Sequence, residues 1–282
     1  MKLQQQIDAF SLRALLIWPA SADGRPMATA TGFVVVHKAI PFLVTNLHVL
    51  SGEHVQTGKN LTKSLPPDSV TIVHHVTETM RIGHGVWSLR EERILDDSLS
   101  PQWFEHPKKD LREIWHSETW DELVVDIAVL PLTEVNMIEL YPVELPDGNP
   151  DVLIKPGLPV HILGFPFGKA AGGYFPIWKT GHIASDFDAT TNGRFFFIDA
   201  STRIGMSGAP VVFRPLGPYL SRSGQVLTGD GTKSIFMGIY SGRLHPESDI
   251  GIVWRPNILR EVLDAAVLAL AEGRRGPLKE GL

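Results

Sequence analysis

A single carboxylate interrupts an otherwise apolar run of eight residues, Leu123-Val124-Val125-Asp126-Ile127-Ala128-Val129-Leu130. No other feature of the chain constrains its fold so tightly. A run of this kind is buried, and an ionised carboxylate within it costs roughly several kcal/mol unless it is hydrogen-bonded. Whatever the fold, it must bring donors to Asp126. Backbone amides alone are one solution, and a histidine N–H is another. A candidate stands upstream, where the apolar strand Phe42-Leu43-Val44 leads into Thr45-Asn46-Leu47-His48-Val49-Leu50. His48 falls where a strand ends and a loop or short helix begins, a setting that fixes an imidazole at the edge of a core. Taken alone, it also reads as a histidine satisfied by backbone groups.

A third polar group sits in Gly205-Met206-Ser207-Gly208-Ala209-Pro210, followed by the apolar Val211-Val212-Phe213. Two glycines bracket a serine on a tight turn that runs into a buried strand. Such a turn presents a hydroxyl outward while its own N–H groups face the same point, which suits a nucleophile with a built-in oxyanion hole. In isolation the pattern equally describes a glycine-rich hairpin. The upstream histidine and aspartate give it weight.

Further motifs stand in a consistent order: Thr31-Gly32-Phe33-Val34-Val35 before the His48 segment, Leu163-Gly164-Phe165-Pro166-Phe167-Gly168 after Asp126, Asp199-Ala200-Ser201 before the Ser207 turn, and Gly238-Ile239-Tyr240-Ser241-Gly242 after it. In the order His48, Asp126, Ser207, these motifs resemble those of the chymotrypsin-like serine peptidases. The likeness is greatest to the bacterial branch that includes HtrA-type and other trypsin-like peptidase domains, and it spans about residues 10 to 256. The resemblance implies an all-β fold of two packed six-stranded antiparallel β-barrels with a C-terminal α-helix. His48, Asp126 and Ser207 would be catalytic, with the N–H groups of Gly205 and Ser207 forming the oxyanion hole. Ser241 would support Asp126, and Ser241-Gly242-Arg243 would pair with the substrate backbone.

Composition agrees with that architecture. The chain has 282 residues, 43% hydrophobic and 20% charged, with 26 glycines and 21 prolines, so it is ordinary globular material rich in turns. A net charge of −5 with no basic block argues against binding nucleic acid through overall charge. With no cysteine there is neither a disulfide nor a thiol nucleophile. The N-terminus is polar, and Ala14-Leu15-Leu16-Ile17-Trp18 is too short for a signal core or a membrane span. A soluble, cytoplasmic protein acting on a protein or peptide substrate is therefore expected, with no membrane association, no metal and no cofactor. Of the 11 histidines, His74 and His75 lie on an expected strand and point to opposite faces, and the others are scattered.

The expected organisation is an N-terminal barrel over 1–145 carrying His48 and Asp126, with an elaborated loop at about 85–121 beside the cleft. The turn-rich Leu145–Pro150 links it to a C-terminal barrel over 151–256 carrying Ser207. Strands are read at 12–19, 30–38, 41–46, 70–76 and 79–83 in the first half. In the second they fall at 160–164, 177–183, 195–198, 209–213, 234–241 and 251–254. From Pro256 the apolar period lengthens to three and four residues, giving a helix over 257–272, with 273–282 a tail. No peptide-binding module of the kind appended to HtrA chains is expected after it.

Three departures from the family pattern matter. Met206 stands where animal digestive relatives carry an Asp that pairs with a newly cut N-terminus, so activation by cleavage is not expected. Ala209 replaces the second glycine of the common Gly-x-Ser-Gly-Gly-Pro pattern. Arg243 replaces a glycine that often follows the Ser-Gly pair and crowds the pocket mouth. Ser201 approximates the base of the primary pocket. Because it is not acidic, preference for Arg or Lys is disfavoured, and Asp199 is read as structural. Val253, Ile252 and Ile239 suggest an apolar pocket for small or medium side chains. The expected activity is serine endopeptidase through an acyl-enzyme; the alternative is an inactive or partner-gated binding protein on the same fold.

Overall fold

The computed structural model describes residues 7–55, 58–61, 66–76, 87–107, 124–147, 151–187, 194–245 and 247–276. Short β-branched and aromatic runs between glycine- and proline-rich turns produce strands, and in the first half these are β1 (Ala14–Ala20), β2 (Ala30–His37), β3 (Ile40–Thr45), β4 (Ser69–Val76), β5 (Trp87–Arg93), β6 (Phe104–Glu105), β7 (Ala128–Pro131) and β8 (Ile138–Glu139). They form one antiparallel sheet in the order β5-β4-β1-β2-β3-β7-β6, with β8 added on β4. Lys38 and Ala39, both at positive φ, make the two-residue turn between β2 and β3, the backbone hand that matches strand twist.

The second half contains β9 (Pro159–Gly164), β10 (Ile177–Ile183), β11 (Phe195–Asp199), β12 (Pro210–Phe213), β13 (Leu216–Leu220), β14 (Val226–Asp230), β15 (Ile235–Arg243) and β16 (Ile250–Trp254). Six of these close into a barrel in the order β10-β11-β16-β15-β12-β9, which leaves no free edge, while β13 and β14 form a separate hairpin. Among the described residues two α-helices complete the order: the one-turn α1 (Leu47–Ser51) after β3, and α2 (Pro256–Ala271) after β16. Pro256 sits in the first turn of α2, where its missing N–H has no intrahelical partner to lose. This is the chymotrypsin-like β architecture with a closing helix.

Strand alternation decides where the core goes. Phe33 and Val35 of β2 join a central cluster with Ile127 and Val129, Leu163, Val212, Phe236 and Trp254, roofed by Ile258, Leu259, Val262 and Leu263 of α2. The intervening Val34 faces the opposite way, into a cluster of the first half with Ile17, Leu43, Ile72 and Leu130. A third cluster fills the closed barrel with Val160, Ile198, Met206, Val211, Tyr240 and Val253. Helix α2 therefore covers a seam to which both halves contribute.

Residues 87–93, inside the stretch expected to hold a loop, form β5 against β4. Its side chains are half-buried or exposed along its whole length, so it lacks the apolar alternation that announces a strand. The hairpin of β13 and β14, also unannounced, is exposed in the same way. The strand expected at 79–83 and residues 108–121 of the expected loop lie outside the described residues.

Candidate active site

Helix α1 delivers His48. It begins at Asn46, ends at Gly52 in the left-handed region (φ 72°), and buries Leu47, Val49 and Leu50. Of the two remaining side chains, His48 and Ser51, His48 lines the cleft. The Asn46 amide does not cap the helix; it donates to the main-chain oxygen of Asp126 at 2.7 Å. That bond ties the end of β3 to the segment just before β7.

Asp126 is buried and finds the donors its position demands. One carboxylate oxygen, Oδ1, accepts the His48 backbone N–H at 3.0 Å. The other, Oδ2, lies 2.7 Å from His48 Nδ1 and accepts the Ser241 hydroxyl at 2.5 Å. A carboxylate on Nδ1 holds the proton there and leaves Nε2 as the acceptor, the tautomer that a general base needs. Burial pushes the Asp126 pKa up, but the His48 charge and the hydrogen bonds from His48 and Ser241 bring it below the ordinary value. For His48, burial lowers the pKa, and the charge and hydrogen bond of Asp126 outweigh it, for a net rise.

The Ser207 turn is assembled from both halves. Thr31, in β2, donates its N–H to the Ser207 carbonyl at 2.9 Å and its hydroxyl to the Gly205 carbonyl at 2.8 Å. The same hydroxyl accepts Phe165 N–H at 3.2 Å. Phe167 N–H donates to the Ile204 carbonyl at 2.6 Å. Because a trans peptide sets its C=O and N–H on opposite sides, this bond aims the Gly205 N–H away from Phe167. Among the described residues no backbone carbonyl accepts from the N–H of Gly205 or of Ser207. Gly205 and Gly208 adopt φ of 96° and 81°. A Cβ on Gly205 would strike the Phe165 carbonyl, and one on Gly208 would strike the Thr31 carbonyl and the Thr45 hydroxyl. Met206, buried in the barrel cluster, holds the turn from beneath by apolar packing.

A cavity of about 300 Å³ is lined by His48, Asp126, Ser207, Ser241, Gly242, Arg243 and Ile252. Residues expected to act together from positions 48, 126, 207, 241, 242 and 243 thus share one cleft. Ser201 and Asp199 are exposed and do not line this cavity. The apolar trio expected to form one pocket does not. Ile239 and Ile252 belong to the central core, whereas Val253 faces the barrel interior, because neighbouring residues of a strand point to opposite faces. His75 is packed against Trp87 and Tyr141 with ring centroids 4.4 and 5.2 Å away. Among the described residues no group of three His, Asp or Glu is placed to hold a metal ion, and no helix is long and apolar enough to cross a membrane.

Sequence reasoning missed the supporting roles of Thr31 and Asn46. A polar residue opening or closing a buried strand was the available signal: Thr31 near the start of β2, and Thr45-Asn46 at the end of β3.

No curated protein matches the sequence. Among solved structures, the chain is similar to a serine endoprotease from Yersinia pestis, at 15% identity and TM-score 0.50, covering 96% of this chain and 70% of that one. It is also similar to the Rv3671c protease from M. tuberculosis in its active form, at 16% identity and TM-score 0.47, covering 97% and 86%. The trypsin-like peptidase domain family matches residues 30–214, roughly two thirds of the chain. The chain therefore belongs to the trypsin-like peptidase domain family.

Proposed function

We propose that this protein is a serine endopeptidase in which Ser207 is the nucleophile, His48 the general base and acid, and Asp126 the group that orients His48. The carrying observation is the 2.7 Å contact of His48 Nδ1 with a carboxylate already engaged by Ser241, beside a cavity that Ser207 also lines. Nε2 of His48 takes the hydroxyl proton as Ser207 Oγ bonds to the scissile carbonyl carbon. The carbonyl oxygen becomes an oxyanion held by the N–H groups of Gly205 and Ser207, a contribution of about 3–4 kcal/mol per donor. His48 then gives the proton to the leaving amine, and water repeats the cycle on the acyl-enzyme. The substrate backbone pairs with Ser241-Gly242-Arg243 by strand addition.

Labelling with a fluorophosphonate tests this reading. The wild type should carry a covalent adduct on Ser207, the Ser207→Ala variant should carry none, and peptide hydrolysis should fall about 10⁴- to 10⁶-fold. If folded wild-type protein forms no Ser207 adduct, the fold serves binding and not hydrolysis.

A further inference from the structure

A second cavity, of about 560 Å³, adjoins the catalytic cleft and exceeds it in volume. His54, Val55 and Val124 line both and form their common boundary. The proposed chemistry makes no use of this space. Its buried walls are apolar, with Leu47, Leu95 and Trp103 drawn from the cluster of the first half. Leu95, Leu99, Pro101, Trp103 and Glu105 come from the stretch that the sequence suggested as an elaborated loop beside the cleft. Main-chain bonds fix these walls. The Asp68 carbonyl accepts Ile94 N–H at 2.9 Å and Leu95 N–H at 3.3 Å, and Leu95 pairs with Pro101. On the other side, His54 N–H donates to the Lys59 carbonyl and Gly58 N–H to the His54 carbonyl, both at 2.8 Å. A ligand thus meets a formed site.

Charge and hydrogen bonding narrow what fits. Glu53, Asp68 and Glu105 bring three carboxylates to the cavity, and among the described residues no lysine or arginine lines it. Trp103 is 6% exposed, and its indole N–H has no hydrogen-bond partner among the described residues. Buried donors rarely stay unpaired, so an acceptor on a ligand completes what the fold leaves open. Apolar walls favour an apolar body, the carboxylates a positive charge, and the indole a carbonyl oxygen. The cavity also touches the supports of the His48–Asp126 pair. Leu47 and Ser51 of α1 line it from either side of His48 in the sequence, and Val124 stands two residues before Asp126.

We propose that this cavity is a second binding site, for an organic cation with an apolar body and a carbonyl oxygen, and that its occupant acts on His48 through α1. The site stands without the peptidase reading; its effect on catalysis rests on that reading. The charges that draw the cation lie outside the catalytic cleft. Glu53, Asp68 and Glu105 line the second cavity alone, whereas Arg243 lines the cleft and repels a cation there.

Calorimetry with three matched probes tests the site: N-benzoylputrescine, a cation; N-butylbenzamide, neutral; and N-benzoyl-γ-aminobutyrate, an anion. The cation should bind with a Kd of about 1 mM or tighter, the neutral probe at least about fivefold more weakly, and the anion more weakly still. Glu53→Gln with Asp68→Asn should weaken the cation at least about fivefold and leave the neutral probe unchanged. Trp103→Phe, which keeps an aromatic wall and loses the N–H, should weaken both benzamides. Equal affinity for the three probes, or no binding of the cation, overturns the proposal, and so does undiminished affinity for the cation in the folded double variant. If that variant fails to fold, the order of the probes on wild type decides. Repeating the titration on protein phosphonylated at Ser207 separates the site from the cleft: retained affinity supports a second site, and lost affinity overturns it. If Ser207 takes no label, the peptidase reading falls while the probe order still judges the site. In protein that hydrolyses peptides, saturating cation should change kcat at least about twofold, and an unmoved kcat overturns the link to His48.

Discussion

The imidazole of His48 is pulled two ways. Burial weakens its hold on a proton, while the charge and hydrogen bond of Asp126 strengthen it, and the net displacement is upward from 6.5. A general base must be neutral, so activity should rise with pH along a limb whose midpoint lies above that of an ordinary histidine. Asp126→Asn removes the upward pull and leaves burial, so the limb should move to lower pH as kcat drops about 10⁴-fold. A kcat/KM profile against pH reads both, and an unmoved limb in Asp126→Asn would contradict the proposed coupling. Linkage has the opposite sense on each partner. The raised His48 contributes stability in full below its unfolded pKa and loses it as pH rises through the folded value. The lowered Asp126 contributes above its unfolded pKa of 3.8 and loses this as pH falls through the folded value.

At the scale of elements, the strands buried on both faces were the plainest to read in the sequence. Strands β3 and β7 are buried over Phe42–Thr45 and Ala128–Pro131, and their unbroken apolar runs show it. Their interruptions, His48 after one and Asp126 before the other, were legible as candidate site residues for the same reason: polar groups within apolar runs need partners. Half-exposed β5 and the hairpin of β13 and β14 carried no such signal. Strand alternation alone already divides the expected pocket trio, since Ile252 and Val253 are adjacent in β16 and face different cores.

The Ser207 turn is an element whose shape depends on two glycines and one methionine. Gly208→Ala forces a methyl against Thr31 and Thr45 at a φ that L-residues avoid, so fluorophosphonate labelling of Ser207 should be lost. Met206→Ala leaves a cavity in the barrel cluster and should cost about 2–5 kcal/mol, measured as a lower denaturation midpoint in urea. An undiminished midpoint would mean that the turn is not held by packing from beneath.

For the whole molecule, acid should act through the first sheet before it reaches the carboxylates. His74 and His75 of β4 are both held to a pKa of about 4, chiefly by burial. For His74 the neighbouring charges of His75 and Arg90 add to the effect, whereas for His75 a backbone hydrogen bond and Glu139 oppose it. Both are neutral in the folded chain above that value, and the unfolded chain takes up protons from about pH 6.5 downward. Stability should therefore fall by a few kcal/mol as pH drops from about 6.5 to about 4, and change little from these groups below that. Thermal melting across this range reads the slope, and His74→Leu should flatten it.

One residue links that sheet to the site. Thr31 belongs to a strand of the first half, yet its amide and hydroxyl hold the carbonyls on either side of Met206 in the second. If Ser207 is the nucleophile, the molecule has a built-in interlock. A fragment carrying Ser207 without the first sheet holds the reactive hydroxyl on a turn deprived of its brace, and damage that parts the halves disarms the protein before it can cut anything indiscriminately.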